Sequence, residues 1–218
     1  MKNIGKLAVL GAVLAASATY SFATLVTLDS NSGTVTLVSD TGGLPAGIAA
    51  TNLPTATISP WIGPIGTSTW VGPEAGTSVG GGVVAPAGTY TYTDTFTDTL
   101  PSSGTITVLA DDTTDVFLNG FLITPQAAPV GGTHCTVGTP NCMTTATYTL
   151  PTGDFTLGSN VLKFDVAQLF GSATGLDFEA SITETAPTGT PEPSSLMLLG
   201  TGLMSAAGMM FRRRRQTV

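Results

Sequence analysis

The chain has 218 residues, of which 42% are apolar and only 10% charged, with a formal net charge of −7. That charge is unevenly placed: Lys163 is the sole basic residue between Thr24 and Thr190, a stretch with 13 acidic residues. A segment with such an excess of carboxylates repels phosphate backbones, so nucleic acid is excluded as a partner.

Residues 1–23 follow the order of a secretory signal peptide: Lys2 and Lys6, the apolar run LAVLGAVLAA, then small residues. Cleavage after Ala23 puts Ser21 and Ala23 at the −3 and −1 positions and is preferred; Ala16 and Ala18 offer a second site. The apolar run is short for an uncleaved anchor. Signal peptidase is therefore an expected partner during export.

From Thr24 onward the pattern is alternation rather than helical periodicity. TLVTLDSNSGTVTLVS reads as an N-terminal hairpin turning at Ser30 to Gly33. Trp61 and Trp70 follow; large aromatics of this kind either pack between the sheets of a sandwich or stack on sugar rings. Gly76 to Gly80 spells GTSVG and matches G-x-S-x-G around Ser78. A nucleophile elbow needs a strand before the serine and a helix after it, whereas GGVVAPAGTY follows here, so no hydrolase is expected.

GTYTYTDTFTDTL puts threonine at every second position from Thr89 to Thr99. Tyr90, Tyr92, Phe96 and Leu100 share the opposite face, which the alternation assigns to the core. One threonine-rich strand is an ordinary solvent face rather than an ice-matching array. GTITVLADDTTDVFLNGFLI then gives a strand, an acidic turn and a tight hairpin at Asn119-Gly120, a pair suited to a type I′ turn. Asp111, Asp112 and Asp115 crowd that acidic turn. Their hard oxygens are candidate calcium ligands, with Asn119 or backbone carbonyls completing the shell; aspartates also favour turns for their own backbone bonding. No other cofactor is suggested by these residues. No spacing singles out the paired carboxylates of a glycosidase, and none of these residues is expected to be catalytic.

Cys135 and Cys142, in a chain that leaves the cytoplasm, are expected to form a disulfide. His134 beside Cys135 does not supply the three or four ligands of a zinc site. ATYTLP, NVLKFDVAQLF and LDFEASIT add three strands. The fold class is thus all-β: an antiparallel, jelly-roll-like β-sandwich over residues 24–186.

Residues 187–218 read differently. Ser194 to Phe211 form an uncharged stretch of 18 residues, about 27 Å long as a helix and close to the thickness of a bilayer core. The cluster Arg212, Arg213, Arg214 and Arg215 halts translocation and stays cytoplasmic, so the acidic middle is the exported part. Pro191-Glu192-Pro193 before it favours an extended segment. Pro-Glu-Pro, a hydrophobic helix and an arginine cluster in that order resemble the PEP-CTERM sorting signal of Gram-negative bacteria, across Thr190 to Arg215. The resemblance implies an inner-membrane intermediate recognised by an exosortase, removal of the helix, and release at the cell surface in association with exopolysaccharide and biofilm.

A second resemblance rests on SPWIGP, GTYTYTDTF, ADDTTDVFLNG and GSNVLKFDVAQ, which together are similar to exported sandwiches of the galactose-binding-like type. It speaks to fold more than to ligand. The expectation is a non-enzymatic surface module whose partner is an extracellular polysaccharide, with no sugar-binding residues marked. A purely structural envelope protein is the alternative, and a carbohydrate-active enzyme comes third.

Overall fold

The computed structural model describes residues 23–54, 60–79, 81–98, 102–125, 135, 138–185, 200–204, 207–209 and 212. The chain divides into two units, one of Ala23–Ala186 and one of Met1–Phe22 with Pro187–Val218. Every described strand lies in the first.

The strands are β1 (Thr24–Asp29), β2 (Thr36–Asp40), β3 (Ile48–Ala49), β4 (Thr51–Asn52), β5 (Val71–Gly72), β6 (Gly88–Asp98), β7 (Ser102–Asp111), β8 (Thr113–Leu118), β9 (Phe121–Thr124), β10 (Ala146–Leu150), β11 (Gly158–Gln168) and β12 (Gly175–Glu184). They form two antiparallel sheets of six. The first runs β10-β7-β12-β5-β4, with β1 also paired to β12; the second runs β3-β2-β6-β11-β8-β9.

Alternation decides what each strand buries. Along β11, Leu162, Phe164 and Val166 point inward while Lys163 and Asp165 point out; along β12, Leu176, Phe178, Ala180 and Ile182 point inward. The two inner faces meet in one core, where Phe164 of the second sheet stacks on Phe178 of the first at 4.5 Å between ring centroids. Tyr90, Tyr92 and Phe96 lie in this core as the alternation requires. Leu100 and Thr99 fall outside the described residues.

Asn119-Gly120 makes the β8–β9 hairpin, with Leu118 opposite Phe121. Both turn residues have positive φ, 52° and 86°, the conformation a type I′ turn demands. The expected N-terminal hairpin is different. β1 pairs with β12 in the first sheet, while β2 pairs with β3 and β6 in the second. Residues 30–35 are thus a corner between sheets rather than a hairpin turn. Ser30 pins that corner: its N–H donates to Phe178 O at 3.0 Å, its hydroxyl donates to Thr69 O at 2.8 Å and to Asp177 Oδ1 at 3.0 Å. The acidic Asp111-Asp112 step is a second such corner, carrying the chain from β7 to β8 in the other sheet.

The tryptophans also depart from the expected place. Trp61 and Trp70 are buried, but on the outer face of the first sheet rather than between the sheets. They build a second core with Leu53, Leu109, Cys135 and Cys142. Leu109 has the parity opposite to Val108 and Ala110, which explains why that face needs cover.

Among the described residues no helix is long and apolar enough to cross a membrane. Residues 200–204, 207–209 and 212 are helical; the rest of the expected 194–211 span, and the signal peptide up to Phe22, lie outside the described residues.

Candidate functional site

The tryptophan core covers only the Leu109 end of the first sheet's outer face and leaves Thr105, Thr147, Thr149 and Thr183 exposed. The outer face of the second sheet differs in carrying Lys163, the sole basic residue between Thr24 and Thr190. Register sets its rows. Lys163 of β11 stands between Thr93 of β6 and Phe117 of β8, and Asp165 stands between Thr91 and Asp115. Thr95 and Thr97 continue the face beside Val161 and Ser159. Lys163 Nζ bonds Asp165 Oδ2 and lies 3.9 Å from the centroid of the Phe117 ring. Thr91 Oγ1 donates to Asp165 Oδ1 at 2.8 Å. The Lys163 and Asp165 side chains stay 34% and 20% exposed, so the surface offers an ammonium, carboxylates and hydroxyls together. Such a set can donate to and accept from the hydroxyls of a neutral polyol.

Of the three aspartates marked on chemical grounds, Asp111 and Asp112 fall elsewhere. Asp111 is fully buried and accepts from Trp61 Nε1 at 2.7 Å. Asp112 is buried beside the end of β11, accepting from the Leu169 N–H at 3.0 Å. Asp115 lies on the open outer face opposite Asp165. Among the described residues, the one trio of His, Cys, Asp or Glu ligand atoms within 4.8 Å of one another is Asp111 with Cys135 and Cys142, and those cysteines are joined in a disulfide. The corner therefore does not gather Asp111, Asp112 and Asp115 around one point. Asn119 is spent on structure, its amide donating to Asp154 O and Asn160 Oδ1 and its oxygen accepting from Val161 N–H. His134, Pro191, Glu192, Pro193, Arg213, Arg214 and Arg215 lie outside the described residues; Arg212 is helical and exposed.

Trp61 and Trp70 stack at 4.3 Å between centroids. Their indole N–H groups are both used, on Asp111 and on Ile62 O at 3.1 Å. Gly175 makes room for Trp61: a Cβ there would stand 2.8 Å from its ring. Ser78 follows a single 3₁₀ turn, Ala75–Thr77, rather than a strand. It borders a shallow pocket of about 370 Å³ whose other walls include Val79, Val83, Val84 and Ser172.

Four carboxylates that sequence reading passed over are buried: Asp94, Asp98, Asp177 and Glu184. Asp94 and Asp98 share the inward parity of Tyr92 and Phe96, so the alternation that located the core aromatics also located them. Burial pushes the Asp94 carboxyl up to about 6; a Thr95 backbone hydrogen bond and the Thr34 hydroxyl work against this and nearby Asp29 adds to it. Burial likewise raises Asp98 and Asp177. Asp177 accepts from the Ser68 and Ser30 hydroxyls and from Ile65 N–H at 3.0 Å, tying the tryptophan loop to β12.

Two solved structures are similar to the chain at a distance. One is a family 35 carbohydrate binding module from Clostridium thermocellum, 11% identical, with a TM-score of 0.37, covering 71% of this chain and 97% of its own. The other is a Podospora anserina GH26-CBM35 beta-(1,4)-mannanase, 13% identical, with a TM-score of 0.35, covering 76% of this chain and 29% of its own. Likenesses this remote carry no weight for function. No curated protein matches the chain. Residues 190–215 match the PEP-CTERM protein-sorting motif. An all-β unit of two antiparallel sheets is thus followed in the same chain by a PEP-CTERM sorting signal.

Proposed function

We propose that the protein is an exported, non-enzymatic surface module whose signal peptide is removed after Ala23 and whose tail is processed by an exosortase. The sorted unit associates with extracellular polysaccharide through the outer face of the second sheet. The observation that carries this reading is the sorting motif at residues 190–215 behind a folded β unit. Charge narrows the partner: 13 carboxylates against Lys163 between Thr24 and Thr190 disfavour a polyanionic glycan, while Lys163, Asp165, Thr91 and Thr93 suit a neutral one.

A glycan array probed with the Thr24–Thr190 fragment, with and without calcium, tests the partner. Neutral polysaccharides should register and anionic ones should not. Lys163→Ala combined with Phe117→Ala should remove the signal without unfolding, since both side chains lie on the outer face. Silence across all sugars would leave a matrix component without a specific ligand. A signal that survives the double variant would put the site elsewhere.

A further inference from the structure

The two ends of the Ala23–Ala186 unit meet at one place. β1 opens at Thr24, which lies directly across from Glu184, the last residue of β12. On its other side Glu184 faces Ser102, the first residue of β7. Glu184 shares the inward parity of Ala180 and Ile182 and is 8% exposed. From the second sheet comes Asp98, fully buried, its carboxyl raised by burial, with the Ser102 hydroxyl working against that rise and the nearby Glu184 charge adding to it. One carboxylate from each sheet therefore stands where the chain enters and leaves the sandwich. Lys163, the unit's sole basic side chain, is committed to Asp165 on the outer face.

We infer that hydrolysis of the Ala23–Thr24 peptide bond installs a cation at this carboxylate pair: the new α-ammonium of Thr24 pairs with Glu184 beside Asp98, and the processed unit is more stable than the unprocessed one. The inference rests on the cleavage after Ala23 proposed above. Hydrolysis consumes one water, leaves a carboxylate on Ala23 and frees the amine of Thr24. That amine titrates at about 7.7–8.0, so it takes up a proton in neutral medium. Before cleavage the same nitrogen is a neutral amide. Reach is not limiting, because cross-strand partners have Cα atoms about 4.5–5.5 Å apart and the nitrogen is about 1.5 Å from its own Cα. Thr24 is exposed, so the ammonium keeps part of its hydration and its desolvation cost is limited, while the attraction to the less exposed carboxylates is stronger than between two fully solvated charges.

The unit contains both sheets and both cores, so it can be studied by itself. Two forms of it are compared by thermal unfolding at low salt: one beginning at Thr24, the other carrying the natural extension Tyr20-Ser21-Phe22-Ala23, which moves the ammonium away without changing any residue of the fold. The form beginning at Thr24 should melt roughly 2–4 °C higher, and the gap should close in Glu184→Gln. Equal melting of the two forms, or a gap that persists in Glu184→Gln, overturns the ion pair. N-terminal sequencing of the exported protein separately tests the premise: a first residue other than Thr24 refutes the cleavage site and leaves the electrostatic result standing by itself.

Discussion

Replacing Trp61 with phenylalanine separates a packing tryptophan from a sugar platform. Trp61 is 6% exposed, stacked on Trp70, with its N–H on the buried Asp111 carboxylate. Phenylalanine keeps an aromatic ring in the stack and removes that donor. A hydrogen bond to a charged acceptor contributes about 1.5–3 kcal/mol, and the lost part of the indole removes on the order of 40 Å² of buried apolar surface, about 1 kcal/mol. The sum, about 2.5–4 kcal/mol, lowers Tm by roughly 10 °C for a unit of this size. Trp70→Phe provides the internal comparison. Its N–H donates to a neutral carbonyl, Ile62 O, where the loss is about 0.5–1.5 kcal/mol, so its Tm should fall by several degrees less. Circular dichroism melts of the Thr24–Thr190 fragment and its two variants give both numbers. If Trp61→Phe melts with the parent while glycan binding disappears, Trp61 is a binding surface and the second core has been misread.

Two other outcomes follow from buried charge and from the tail. The folded carboxyl of Asp94 is held at about 6 against 3.8 for the free group, so the folded state keeps its proton where the unfolded state has lost it. Its contribution is most favourable below about pH 4 and is lost as the pH rises through about 6, a change of about 3 kcal/mol. Asp94→Asn should match the parent in urea unfolding at about pH 4 and exceed its stability at about pH 7; parallel profiles would contradict this. In a host with an exosortase, Pro191→Ala with Glu192→Ala should accumulate as an unprocessed inner-membrane form in fractionated cells, and normal maturation would show the tripeptide to be dispensable.

Much of the architecture was written in local alternation. β6, β8, β11 and β12 are readable because a strand half-buried on one face must repeat every second residue, and Asn119-Gly120 marks its hairpin because few pairs tolerate positive φ twice. The same periodicity is blind to partners. Nothing local in TLVTLDSNSGTVTLVS tells a hairpin from a corner, because what fixes Ser30 is Asp177 and Phe178, some 150 residues away in sequence. Asp94 and Asp98 were legible by parity and were passed over because carboxylates are seldom assigned to a core.

By itself the sequence determined the all-β character, the concentration of acid between two basic ends and the sorting signal, since each is a property of short stretches read in order. Tertiary structure alone decided that the Asp111-Asp112 step crosses between sheets, that the tryptophans pack on an outer face, and that Lys163, Asp165 and Phe117 share an open surface. Those facts depend on which strands lie side by side, and pairing across long separations is settled by the fit of whole faces, which no short stretch encodes.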